Sequence, residues 1–157
     1  MNAHLNHDWI AARIPHQGTM CLLDHVVSWN ETEIVCCAKS HRFENNPLRH
    51  ENALNIVNGI EYAAQAMAVH GALLAGSDHA PAAGFLASVR DVQWQRQRLD
   101  DLPHELLIRA ERLAGNDVNI LYQFAVCHAG QRLLSGRAVV QLDASGQTPF
   151  PSSESRP

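Results

Sequence analysis

Lysine is almost missing from this chain: eleven of its twelve basic residues are arginine, and Lys39 stands alone. No lysine/arginine run occurs, and no basic stretch is interleaved with aromatics, so nucleic acid is a poor candidate partner. Long apolar runs are absent as well. None reaches the roughly 18 residues that a membrane-spanning helix needs. The opening segment, residues 1–13, has no basic region followed by an apolar core, so no secretory leader is expected and a cytoplasmic location is. Cysteine is sparse. Cys36 and Cys37 are adjacent, Cys21 and Cys127 are isolated, and no Cys-x-x-Cys spacing exists, so all four read as free thiols. The ten histidines are scattered and form no helix-borne His-Glu-x-x-His pattern, so neither a metal centre nor a bound cofactor is expected.

What is present describes an ordinary globular domain. The chain has 157 residues, 46% of them hydrophobic and 18% charged, with a net charge of -4. That is one domain's worth of core. Residues 1–142 are expected to form it, and 143–157 to form a disordered tail. The arginines gather in one stretch: Arg90, Arg96, Arg98, Arg109 and Arg112. They read either as solvated strand faces or as a landing patch for an acidic partner or a phosphate.

The spacing along the chain predicts a short helix over 8–13, capped by Asp8 and stopped near Pro15. Strands over 22–28 and 33–40 follow, joined by the polar turn 29–32. A polar loop runs from His41 to about Asn52. The one strong helix comes next, with Ile56, Ile60, Ala64, Met67, Gly71 and Leu74 as its apolar stripe. Small residues are dense in it, so other elements can wrap it closely. Gly76 and Pro81 end it. Strands are then predicted over 85–96, 105–113, 118–128 and 133–142, with turn residues at short intervals that suggest an antiparallel meander. Two strands, one buried helix and four strands make an α+β fold. A curved antiparallel sheet wrapped around one long helix, the hot-dog architecture, satisfies that order.

Glu61 interrupts the apolar helix, and Gln65 shares its face at i, i+4. A carboxylate in such surroundings costs desolvation energy unless it is paired or kept for chemistry. The ordinary alternative is a solvent-facing line on the helix. The expectation is that Glu61 lies at the end of an apolar tunnel without a permanent cationic partner, its pKa raised by burial. His70, nine positions on, falls on the other side of the helix and reads as a packing residue. Asp24 and His25 read as the edge of a strand.

The run IPHQGTMCLLDH, from Ile14 to His25, resembles the opening of the 3-hydroxyacyl-acyl-carrier-protein dehydratases. EYAAQ, Glu61 to Gln65, is similar to the acid-x-x-x-Gln on the central helix of those enzymes. The runs NPLR, GIEYAAQAMAVHGALLAG and GFLASVRDVQW resemble a branch of hot-dog dehydratases found beside aryl-polyene-type pathways. The resemblance covers about residues 14–142. It implies a helix carboxylate, Glu61, working with a loop histidine: one takes the α-proton of a 3-hydroxyacyl thioester, the other protonates the departing hydroxyl. It also implies a backbone amide near the helix start, around Gly59, polarising the thioester carbonyl. The loop position of the histidine falls near Asn46 and Pro47, and the nearest histidine is His50; His16 sits in the earlier Pro-His pair. Candidate catalytic residues are therefore Glu61 and His50. Gln65, Gly59, Asn46, Arg49 and His16 are the candidate substrate-contacting residues.

The implied substrate rides on the phosphopantetheine of an acyl carrier protein, and the implied assembly is a homodimer or a hetero-oligomer with another hot-dog subunit. Three functions satisfy these residues: a dehydratase, a thioesterase that needs only the carboxylate to activate water or carry the acyl group, and a non-catalytic subunit pairing with a catalytic partner.

Overall fold

A computed structural model describes residues 5–76 and 84–142. The expected tail and the turn around Pro81 lie outside them. Helix α1 spans His7–Ala11. Its cap is Asn6, whose side chain accepts from the Trp9 amide, and Asp8 instead lies inside the first turn. There its negative charge still faces favourably on the positive end of the helix.

Strand β1 (His25–Trp29) and strand β2 (Glu33–Ala38) form an antiparallel pair. Asn30 Oδ1 closes their turn by accepting from the amides of Thr32 and Glu33. β1 starts three residues later than the hydrophobic pattern predicts. The reason is that the backbone of Leu22 is spoken for: its N–H goes to Gln65 and its carbonyl accepts from Ser40 Oγ.

Helix α2 spans Gly59–Ala75, preceded by a 3-10 turn at Ile56–Asn58 whose Val57 amide is capped by Asn55 Oδ1. Gly76, with φ 65°, supplies the left-handed residue that closes it. The buried face comprises Gly59, Tyr62, Ala63, Gln65, Ala66, Met67, Val69, His70 and Ala72. This is a rotation from the expected stripe, since Ile60, Ala64, Gly71 and Leu74 are only half-buried. Periodicity could not choose the face because the helix is apolar nearly all round. The buried polar groups of Tyr62, Gln65 and His70 all find partners, so their side can turn inward.

Strands β3 (Gly84–Trp94), β4 (Leu106–Gly115), β5 (Asn119–His128) and β6 (Gln131–Leu142) complete one antiparallel sheet, in the order β1-β2-β4-β5-β6-β3. Only β4, β5 and β6 form a meander. β3 crosses to the far edge and pairs with β6, a correction to the four-strand meander that turn spacing suggested. Turn residues mark where a strand ends, not which strand lies beside it. The link from β3 to β4 passes under the start of α2, where the Leu99 amide donates to Leu54 O and the Ile56 amide donates to Gln97 O. The β5–β6 hairpin turns on Ala129 and Gly130, both at positive φ, as a tight two-residue turn demands. Ile34, Cys36, Ile108, Ala110, Tyr122, Phe124, Val126 and Leu134 are buried in the core shared with α2. The result is the hot-dog fold.

Candidate functional site

One side chain of α2 bonds twice to the backbone of the segment from Ile14 to Leu22. Gln65 is fully buried. Its Oε1 accepts from the Leu22 amide at 2.9 Å, and its Nε2 donates to Met20 O at 2.7 Å. An amide is the natural choice, because it can donate and accept at once and so satisfy both backbone groups. Glu61 lies one turn earlier on the same face. The loop stitched down by Gln65 therefore delivers His16 to it, with His16 Nε2 at 3.3 Å from Glu61 Oε1. Both side chains are partly exposed, 24% for His16 and 37% for Glu61.

This pairing corrects two expectations. The histidine that meets Glu61 is His16, not His50. His50 sits 90% exposed on its loop, with Glu51 Oε1 at 4.0 Å as its ion contact. Glu61 has a titratable partner in His16, and its pKa is held below the usual carboxylate range rather than raised: the hydrogen bond from His16 outweighs the burial that pushes it up, and a coulombic contribution from His16 adds to the lowering. The signal for His16 was present in the Pro15-His16 pair. What sequence distance concealed was that a segment 45 residues upstream folds onto the helix. His16 Nδ1 is buried and has no hydrogen-bond partner.

A second polar cluster secures the loop before α2. Asn46 Nδ2 donates to Tyr62 OH at 3.0 Å and to Ser40 O at 2.9 Å, while Asn46 Oδ1 accepts from the Leu48 amide. The Tyr62 and Ser40 hydroxyls are 2.8 Å apart, and Ser40 Oγ donates to Leu22 O. Burial pushes the Tyr62 phenol up, which keeps it neutral. The cluster ties helix, loop and the His16 segment together. Ser40 and Tyr62 were not singled out from sequence; a tyrosine inside an apolar helix, needing a partner for its hydroxyl, was the available sign. Asn46 is thus bonded through both side-chain atoms within the protein.

Gly59 packs the first turn of α2 directly on the sheet. A Cβ there would come within 2.6 Å of Leu134 Cδ2 and 3.3 Å of Val126 Cγ2. Its amide is occupied by the preceding 3-10 turn, bonding to the carbonyls of Ile56 and Val57. Arg49 reaches the carbonyls of His41 and Asn52 at 3.4 and 3.5 Å, and its Nε is buried without a partner. The arginine stretch is largely internally compensated: Arg96 pairs with Asp101, Arg98 with Asp100, and Arg109 with Glu33. Asp100 is held well below the usual carboxylate range, chiefly by Arg98, and its Oδ1 also accepts the Leu54 amide.

Chemically, an imidazole touching a carboxylate at a partly exposed position can hold one proton between two groups and exchange it with a third. Against known proteins, residues 9–147 match the family model of ApeP-like proteins, described as ApeP dehydratase. Among solved structures, a chain of the dehydratase heterocomplex ApeI:P from Xenorhabdus doucetiae superposes with a TM-score of 0.76 at 22% identity, over 88% of this chain and 91% of that one. Zebra fish thioesterase superfamily member 2 gives 0.59 at 13% identity, over 87% and 92%. The E. coli PaaI protein from the phenylacetic acid degradation operon gives 0.57 at 12% identity, over 86% and 88%. No curated protein sequence is significantly similar to this chain.

Proposed function

Because the chain belongs to the ApeP-like family of dehydratases, we propose that it removes water from a 3-hydroxyacyl thioester carried by an acyl carrier protein, with Glu61 and His16 as the proton-transfer pair. The observation that carries this reading is the 3.3 Å contact between His16 Nε2 and Glu61 Oε1. Glu61, held in its charged form, takes the α-proton as general base. His16, as imidazolium, gives its proton to the 3-hydroxyl, which leaves as water while the double bond forms between C2 and C3. The proton then crosses from the Glu61 carboxyl to His16, and the pair returns to its starting state. Gln65 holds the histidine segment in reach. The substrate brings its phosphopantetheine arm with it, so no cofactor resident in the protein is required.

The working unit in this proposal is two hot-dog subunits, either two copies of this chain or this chain with a different hot-dog partner. Support comes from the free edge of β3, whose described strand partner is β6 alone, and from the half-buried apolar line Ile60, Ala64 and Gly71 on α2. A second subunit pairing along β3 removes the exposed edge. The ApeI:P structure is itself a dehydratase heterocomplex.

Intact-mass analysis of a 3-hydroxyacyl carrier protein incubated with the protein, alone and with a hot-dog partner, tests the reading. Loss of one water from the acyl group is expected, abolished by Glu61→Gln. Release of the free acid would make it a thioesterase. No change alone, but faster turnover by the partner, would make it a non-catalytic subunit.

A further inference from the structure

Away from the Glu61–His16 pair, the fold gathers a second set of reactive side chains. Asp24, His25 and Cys37 each offer one ligand atom, and the three atoms lie within 4.8 Å of one another. They are twelve or more positions apart in the chain for the Cys37 member, and the pairing of His25 opposite Cys37 in the β1–β2 ladder brings them together. The Asp24 amide donates to Cys37 O at 2.8 Å, which locks the register at this point. Cys37 is buried, 2% exposed, while Asp24 and His25 reach solvent. One sulfur, one imidazole and one carboxylate, open on one side to water, is a donor set suited to a borderline-soft divalent ion.

We propose that Asp24, His25 and Cys37 bind a zinc-class divalent cation that clasps the start of β1 to the end of β2. Zinc distances of about 2.0–2.3 Å to O, N and S put tetrahedral donors roughly 3.4 Å apart, so the 2.7 Å hydrogen bond between His25 Nδ1 and Asp24 Oδ2 opens to admit the ion. The fourth position is left to water. Binding breaks the Cys37 S–H bond: the thiolate takes the ion and the proton leaves to solvent. Lys39 is the built-in competitor. Its ammonium stands 3.8 Å from Asp24 Oδ2 and is half exposed, free to swing out when an ion arrives. The clasp would tighten the segment that continues back through Leu22, bonded to Gln65 and Ser40, toward the loop of His16.

Cobalt(II) titration of the metal-stripped, reduced full-length protein tests this. Expected is one saturating equivalent with a near-ultraviolet thiolate-to-cobalt absorption band, displaced by zinc, together with proton release measured calorimetrically in two buffers. His25→Ala, on a partly exposed side chain that should not impair folding, is expected to weaken binding by about tenfold or more. Cys37→Ser should abolish the band, Cys127→Ser should leave it intact, and Lys39→Met should tighten binding. A band that survives Cys37→Ser, no saturation at one equivalent, or equal affinity in His25→Ala would each overturn the proposal and mark any binding as adventitious.

Discussion

The side-chain oxygen of Gln65 accepts a hydrogen bond from the backbone amide of Leu22 at 2.9 Å, across 43 residues of sequence. With the Gln65 Nε2 bond to Met20 O, it satisfies two backbone groups, of which the Leu22 amide is buried. Gln65→Leu keeps the volume but leaves both groups without partners. Each unsatisfied buried group costs about 1–3 kcal/mol. A drop in melting temperature is expected, with a fall in dehydration rate larger than the fall in substrate binding, because His16 loses its tether. Unchanged melting would show that the segment is held by other contacts.

Glu61→Gln keeps the shape of the side chain and removes the charge that His16 faces. Turnover should vanish, with a modest drop in melting temperature at neutral pH. Because the folded pKa of Glu61 lies below its ordinary value of 4.5, its contribution to stability is complete above about pH 4.5 and is lost as pH falls through the folded pKa. Acid unfolding of the parent should therefore be steeper than that of the variant below that pH. Parallel acid-unfolding curves would mean that the His16 contact contributes nothing to stability.

His41 and His70 are both fully buried. Burial lowers the pKa of each. His70 Nε2 donates to Asn30 O at 2.8 Å, and its Nδ1 accepts from the Tyr122 hydroxyl at 2.7 Å. The unfolded chain binds protons at these histidines near their ordinary value of about 6.5, while the folded chain binds them only at lower pH. Stability is thus complete above that pH and declines as pH falls below it. Melting temperature is expected to drop between about pH 7 and pH 5. His70→Gln should flatten that decline while lowering stability at pH 7, and an equally steep decline in His70→Gln would assign the effect to His41.

Gly136 sits opposite Phe124 in the β5–β6 ladder. A Cβ there would lie 2.8 Å from Phe124 Cζ and 3.2 Å from the Arg90 carbonyl. Phe124 is buried, 1% exposed, and its ring cannot retreat, so Gly136→Ala should cost about 1–3 kcal/mol through overpacking. Adding Phe124→Leu should recover part of that loss in a double-mutant cycle. Additive effects of the two changes would show that the ring is not the obstacle.

His50→Ala should leave dehydration within about twofold of the parent, a change under roughly 0.5 kcal/mol, whereas His16→Ala should reduce it as severely as Glu61→Gln. The comparison separates the loop histidine nearest in sequence from the one in contact with the carboxylate. A large loss in His50→Ala would restore it to the site.

Much of the molecule was legible one element at a time. The density of small apolar residues from Ile56 to Ala75 announced a closely wrapped helix. Turn residues at 115–117 and 129–130 located the hairpins, since Gly, Asn and Asp interrupt strand pattern locally. Glu61 stood out because a carboxylate in an apolar helix needs a reason. These are short-range properties, dictated by each residue's own conformational and solvation preferences. Long-range questions were settled only when distant segments met. Which side of α2 turned inward depended on where Gln65, Tyr62 and His70 found hydrogen-bond partners in Leu22, Ser40 and Tyr122. Whether β3 followed the meander or crossed to the β6 edge depended on pairing across the whole sheet. His16 and His50 look equally eligible in the chain, and His50 is the closer of the two to Glu61 in sequence. His16 meets Glu61 because the Gln65 amide bonds the Met20 carbonyl and the buried Leu22 amide and so holds the Pro15-His16 segment against the helix.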